Sequence, residues 1–291
     1  MISTYCYCGR AFSQAEIDLV RALCADPALK TRAAISRAVC DQLGWVDGKG
    51  RPKAMSGRVA LLRMAADGLI ALPPPANANN ANRRWPLRLE PGPEPAPLSA
   101  RLADLGPLQM VTVDTKEASR AWNELIARHH YLGYSPLPGA QRRFFVRAQG
   151  QDLALLGVGA AAWACRPRDD FIGWDRPTRA ARLALVVGNA RFLVLPWVRV
   201  PNLASASLGL LARSLGEEWE GAYGYRPVLI ETFVDATRFQ GTSYRAANWI
   251  HLGRTTGRGK LDRHHAGGIP VKDVYCYPLT RDFRRHLLAP A

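Results

Sequence analysis

The sequence predicts an α/β protein in two parts: a helix-turn-helix unit of winged-helix type, then a larger mixed α/β domain. Three observations carry that expectation. Residues 13–67 hold three runs of helical period and no long strand. A tract rich in Pro, Ala and Asn follows, PPPANANNAN from Pro73 and then EPGPEPAPLS, which cannot bury a core and favours extended chain. Beyond it, apolar strand-like runs are bridged by helical runs, the order of a sheet with helices on both faces. The expected domains are therefore 1–75, a linker over 76–107, and 108–291.

The first helix is expected over residues 13–26, SQAEIDLVRALCAD. Ser13 and Glu16 have capping-box spacing, Ile17, Val20, Leu23 and Cys24 share a face, and Pro27 ends the run. The second covers 31–43, with Ile35, Val39 and Leu43 apolar and Gly44 as its stop. A polar turn, VDGKGRPK, leads to the third over 54–67, with Val59, Leu62 and Met64 expected to face inward and Gly68 to terminate it. Three short helices with a polar turn before the last are the layout of a DNA-binding helix-turn-helix. On that reading the third helix presents Lys53, Ser56, Arg58 and Arg63, the residue types that meet phosphates and base edges. A small helical protein-interaction domain with a solvated basic face has the same layout.

The second domain opens with a strand at Met110–Thr115 and a helix at Lys116–Arg128 carrying Ala118, Trp122, Leu125 and Ile126. Two strand runs, RRFFVRA and DLALLGVGAAAWA, flank a hairpin turn at Gln149–Gln151. RFLVLPWVRV (191–200) reads as the strongest strand, and 202–219 as a helix with Asn202 as its cap. A strand over 227–235, a short helix or turn over 240–249, and strands at 250–253 and 273–279 close the chain. This order resembles that of the N-acetyltransferase (GNAT) fold, which makes the expected domain GNAT-like. Acetyltransferases bind a pyrophosphate on a glycine-rich loop after the strong strand. Here that loop is VRVPNLAS: glycines are missing and Pro201 has no amide hydrogen, so an acetyl-CoA site is not expected.

The formal charge is +15, and residues 108–291 carry +10 of it, with 25 Lys/Arg against 15 Asp/Glu. Such an excess points to a polyanionic partner, DNA foremost, although a GC-rich genome also favours arginine. Six cysteines (6, 8, 24, 40, 165 and 276) lack the paired spacing of a zinc site and read as reduced thiols. No run suits a membrane span or a signal peptide, so a cytoplasmic protein with no membrane partner is expected.

Glu231, Asp235, Asp169 and His130 are the candidate catalytic set, with Asp169, Glu231 and Asp235 as candidate ligands for Mg²⁺ or Mn²⁺ in phosphodiester chemistry. Carboxylates in an arginine-rich chain also serve as ion-pair partners, and paired histidines (129 and 130) suit a helix C-terminus. Tyr244 is a candidate nucleophile toward phosphate, or a packed ring. Asn248 and Trp249 suit base recognition, or the core in the case of Trp249. Arg254, Arg258 and Lys260 in GRTTGRGK suit phosphate contact, or a solvated hairpin tip.

Taken together, HHYLGY, RDDFIGW, RFLVLPWVRVPNLAS, ETFVDATRFQGTSYRAANWIHLGRTTGRGK and VYCYPL resemble the Druantia anti-phage system protein DruA family, and the N-terminal segment from ISRAVCDQLGW is similar to the same family. His129, His130, Asp169, Trp174, Arg191, Asn202, Ser205, Glu231, Asp235, Tyr244, Asn248 and Trp249 lie on those motifs. The resemblance implies a protein of phage defence or of a mobile element, with other defence or transposition proteins as partners. The expected function is DNA binding through both units. The alternative is a metal-dependent nuclease or strand-transfer enzyme of transposase type.

Overall fold

The computed structural model describes residues 5–75, 95–257 and 270–289. The chain divides into two units, Met1–Pro86 and Leu87–Ala291.

In the first unit a hairpin, β1 (Tyr5–Tyr7) and β2 (Arg10–Phe12), precedes three helices, α1 (Gln14–Ala25), α2 (Arg32–Gln42) and α3 (Ala54–Ala66). The capping box forms: the Glu16 amide donates to the Ser13 hydroxyl at 3.2 Å and the Ser13 amide to the Glu16 carboxylate at 2.8 Å. Phe12, Ile17, Val20, Ile35, Val39, Leu61 and Met64 fill the core. The connection between α2 and α3, Leu43–Lys53, is longer than the three or four residues of a tight helix-turn-helix turn. Asp47 organises it by accepting the amides of Lys49 and Arg51.

The inward face of α3 differs from the expectation. Gly57, Ala60, Leu61 and Met64 are buried, whereas Met55, Val59 and Leu62 are exposed. Both stripes have helical spacing, so the sequence offers two apolar faces. Packing selects the one with small residues, which lets α2 approach closely enough for the Ser36 hydroxyl to reach the Ala54 carbonyl at 2.5 Å.

The second unit is built on a seven-stranded sheet. In chain order its elements are β4 (Gln109–Thr112), α4 (Lys116–His129), β5 (Gln141–Ala148), β6 (Gln151–Ala160), α5 (Arg166–Ile172), α6 (Arg176–Arg182), β7 (Val186–Val194), α7 (Leu203–Tyr223), β9 (Leu229–Asp235), α8 (Thr242–Ala246), β10 (Ile250–Arg254), β11 (Lys272–Pro278) and α9 (Phe283–Leu288). A two-residue β8 (Val198–Arg199) pairs in parallel with β3 (Leu98–Ser99) outside that sheet. The end of the expected linker therefore belongs to this unit, with Leu105 buried in its core. Sheet order is β10-β11-β9-β7-β6-β5-β4, antiparallel except for the β7–β9 pair. The expected GNAT-like order of strands and helices is present.

Alternation along the strands sends residues to two helical layers. Phe144, Val146, Leu156 and Val158 meet Leu208, Leu211, Leu215 and Trp219 of α7. Phe145, Leu153 and Leu155 meet Trp122 and Ile126 of α4. One expected element shifts, and a stretch given no element from sequence is helical. The strong strand begins at Val186 and stops at Val194, before Pro196. The charged, aromatic stretch after β6 folds as α5 and α6, each with Pro in its first turn, where a missing N–H is harmless. Asn202 does not cap α7 with its side chain; it adopts a left-handed backbone (φ 64°) ahead of the helix.

Candidate functional site

β7 and β9 are paired only over Val186–Asn189 and Leu229–Thr232. Both strands run on, so beyond Asn189 and Thr232 they part and leave a cleft of about 680 Å³, within the range of ligand pockets. A bulge on β7 sets what enters it: Gly157 pairs with Arg191 and Val158 with Asn189, leaving Ala190 as the extra residue. Gly157 has no room for a side chain, since a Cβ there would lie 3.1 Å from both Arg191 Cβ and the Trp122 ring. The close approach of Arg191 to β6 depends on that glycine.

Arg191 donates to the Ala190 carbonyl and to the Ser135 hydroxyl, both at 2.8 Å. Its buried Nε has no hydrogen-bond partner and no carboxylate pairs with it among the described residues. Burial lowers its pKa. His130, also on the cleft, has its pKa driven down to about 4, first by burial and then by the Arg191 charge, and its Nδ1 accepts the Leu132 amide at 3.2 Å. It is a neutral imidazole at physiological pH. Tyr244 donates to Asn189 Oδ1 at 2.9 Å, and burial pushes its hydroxyl up to about 12. Its ring packs against Phe192, Trp249 and Tyr275. Asp235 accepts from the Thr237 amide and hydroxyl, which hold its carboxyl below the usual range. His130, Asp235 and Tyr244 thus share one cleft. Asn189, Thr232 and Lys272 line it too. None of these three was a candidate from sequence, because nothing local marks where two strands diverge.

Glu231 and Asp169 lie elsewhere and are not free to act. Glu231 is fully buried; it accepts from Arg168 Nη1 at 2.9 Å and from the Ala162 amide at 2.7 Å. Burial drives its pKa up against the pull of Arg168. Asp169 accepts from Arg168, Trp174 Nε1 and Arg179. Each carboxylate oxygen of Glu231 and Asp169 accepts from at least one fixed donor, so this is an internal ion-pair network. The expected metal set of Asp169, Glu231 and Asp235 with His130 does not converge. No group of three or more His, Cys, Asp or Glu side chains among the described residues is arranged to hold a metal ion. Arg168, the centre of the network, escaped notice because an arginine flanked by two acids reads as surface.

A second concavity, of about 1290 Å³, runs between β10 and the segment 162–171 that carries α5. Trp163 stands at its edge, 63% exposed, with Arg166, Arg254 and Lys272 along the lining. Arg254 also pairs with Asp273 at 3.0 Å. Of the other expected nucleic-acid contacts, Trp249 is buried against Tyr244 and Tyr277 and belongs to the core. Asn248 is exposed in a left-handed turn (φ 61°). Arg258 and Lys260 lie outside the described residues. In the first unit Lys53 and Arg63 are exposed, while Ser56 and Arg58 are half-buried.

The strand order and the parting of β7 from β9 define a protein of GNAT-like fold class. The family described as Druantia protein DruA matches residues 66–269, more than half of the chain. The chain belongs to that family, one of the Druantia defence system. The match begins at Ala66 and so leaves out most of the three-helix unit that the sequence resemblance included. No curated protein matches the chain. Among solved structures it is similar to the ribosomal-protein-S18-alanine N-acetyltransferase of Escherichia coli (10% identity, 60% of this chain and 94% of that one, TM-score 0.37). It is also similar to the polyamine N-acetyltransferase of Drosophila melanogaster (13% identity, 59% and 100%, TM-score 0.38). The activities of those enzymes are their own, and nothing in the likeness extends them to this chain. No helix among the described residues is long and apolar enough to cross a membrane.

Proposed function

We propose that this protein is a DNA-binding component of a Druantia anti-phage system, contacting DNA through its N-terminal helical unit and through its basic α/β unit. The observation that carries this reading is how the charge is distributed. In the second unit many of the acids are engaged in ion pairs: Asp114 and Glu218 on Arg142, Asp152 on Arg147, and, in the interior, Asp169 and Glu231 on Arg168. Arg176, Arg199, Arg213, Arg281 and Arg285 are left exposed without an ion pair among the described residues. Exposed arginines of this kind supply the sequence-independent, salt-sensitive attraction to phosphates. Trp163 beside Arg166 and Arg254 adds an aromatic face on which an unpaired base can stack. Lys53 and Arg63 of the helical unit supply further phosphate contacts. Other proteins of the same defence system are the expected partners.

Gel shifts with duplex and single-stranded DNA over a salt series test the reading. Binding is expected at low salt and is expected to weaken steeply, with a log–log slope near −0.9 for each phosphate neutralised on duplex DNA. Trp163→Ala is expected to weaken single-strand binding by about 1–3 kcal/mol while leaving duplex binding unchanged. Absence of binding at low salt, or affinity indifferent to salt, overturns the proposal.

A further inference from the structure

We propose that the cleft between β7 and β9 binds a small phosphate monoester with a planar body, a nucleoside monophosphate, with its phosphate on Arg191 and Lys272 and its ring among Tyr131, Phe192 and Phe239. This does not depend on the protein binding DNA.

The starting point is a charge without a counter-ion. Arg191 is half-buried on the wall of a ligand-sized cleft, is held in place by Ser135 and the Ala190 carbonyl, and faces no carboxylate. Taking a guanidinium partly out of water is costly unless something negative meets it. Among the described residues the one completely buried arginine, Arg168, has that partner twice over. The one acid on the cleft among the described residues, Asp235, is already engaged by Thr237 and lies 3.8 Å from Arg238. His130 is neutral and adds no charge. The cleft therefore presents two cations, Arg191 and Lys272, against one committed carboxylate. A dianionic phosphate complements that pair better than a single carboxylate, and guanidinium suits phosphate oxygens geometrically.

The rest of the lining selects the body of the ligand. Tyr131, from the loop after α4, and Phe239, from the loop after β9, meet edge to face at 5.3 Å and line the cleft from either side, both exposed. Large apolar rings that remain exposed at a cavity rim lack the partner that would desolvate them. A nucleobase, flat and aromatic, supplies one. Gln240, Thr242 and Ser243, also on the lining, offer polar contacts to its edge or to the sugar.

Thermal shift and calorimetry on the full chain with each of the four nucleoside 5′-monophosphates and with inorganic phosphate test the proposal. At least one nucleotide is expected to raise the melting temperature and to bind about tenfold or more tightly than phosphate alone, because the ring contacts add to the charge. Arg191→Met is expected to abolish that response without lowering the melting temperature of the free protein, since it removes an uncompensated charge. An arginine serving only the fold predicts the opposite, a lower melting temperature with the nucleotide response intact. Phe239→Ala, at a position 48% exposed, supplies a second variant that leaves the core alone. Nucleotide affinity unchanged in Phe239→Ala, or no response of the parent to any nucleotide at millimolar concentration, overturns the proposal.

Discussion

Replacing Glu231 by alanine is expected to destabilise the second unit by about 3–5 kcal/mol, the range for breaking a buried ion pair from one side. Both partners are completely buried: the Arg168 and Glu231 side chains have 0% exposure and meet at 2.9 Å. Without Glu231, the guanidinium and the Ala162 amide, which donates to the same carboxylate at 2.7 Å, lose their acceptor. The double variant Arg168→Met with Glu231→Leu is expected to recover most of the loss, because two well-packed apolar groups replace two desolvated charges. Urea unfolding followed at the second unit measures both. A change below about 1 kcal/mol for the single variant would mean that water reaches the pair, and the burial described above would be wrong. Asp169 adds a pH signature. Burial raises its pKa, but the hydrogen bonds from Arg168, Trp174 and Arg179 outweigh it and leave the carboxyl below its usual range. A carboxyl with a depressed folded pKa contributes stability that is complete above its unfolded value, about 4, and is lost as pH falls through the folded value. Asp169→Asn is expected to flatten that acid limb of the stability curve.

Gly241→Ala is expected to cost about 2–4 kcal/mol, combining a left-handed backbone with overpacking. Gly241 has φ +68°, and a Cβ there would fall on the hydroxyl and ring of Tyr275. Tyr275 cannot yield cheaply: it is buried, stacks on Tyr244 at 5.7 Å, and accepts from Arg245 Nη1 at 3.1 Å. Gly221, in the last turns of α7, is the matched control. It has open space around the added carbon and ordinary helical backbone, so Gly221→Ala is expected to be neutral or slightly stabilising. Melting curves of the two variants separate a specific steric requirement from a general intolerance of alanine. Equal melting temperatures would show that the turn before α8 moves freely.

The stretch from Glu231 to Lys260 illustrates how far the sequence reaches. Its composition, with two acids, a tyrosine, an asparagine and a tryptophan ahead of a basic glycine turn, marks it as unlike ordinary core. The structure divides it among three environments. Glu231 faces the buried Arg168 of α5, Asp235 and Tyr244 face the cleft, and Arg254 faces the groove between β10 and α5. Glu231 and Asp235 are four apart on one strand and so share a face, but a rise of about 3.3 Å per residue sets them about 13 Å apart, at two different environments. No one-dimensional reading could tell which of the two acids four residues apart would meet an arginine.

The sequence by itself determined the periodic features: three amphipathic helices with the Ser13–Glu16 cap, the β5–β6 hairpin, the long helix between two strands, and hence the GNAT-like order. Those follow from local spacing and from short-range hydrogen bonds, which need no partner from elsewhere in the chain. Only the tertiary structure decided which apolar stripe of α3 is buried, that Glu231 and Asp169 close on Arg168, and that Arg191 stands in an open cleft without a counter-ion. In each case the deciding quantity is the distance between residues remote in sequence and the water excluded between them. Desolvation is what turns the same arginine–carboxylate chemistry into a structural clamp at Arg168 and leaves an unmet positive charge at Arg191.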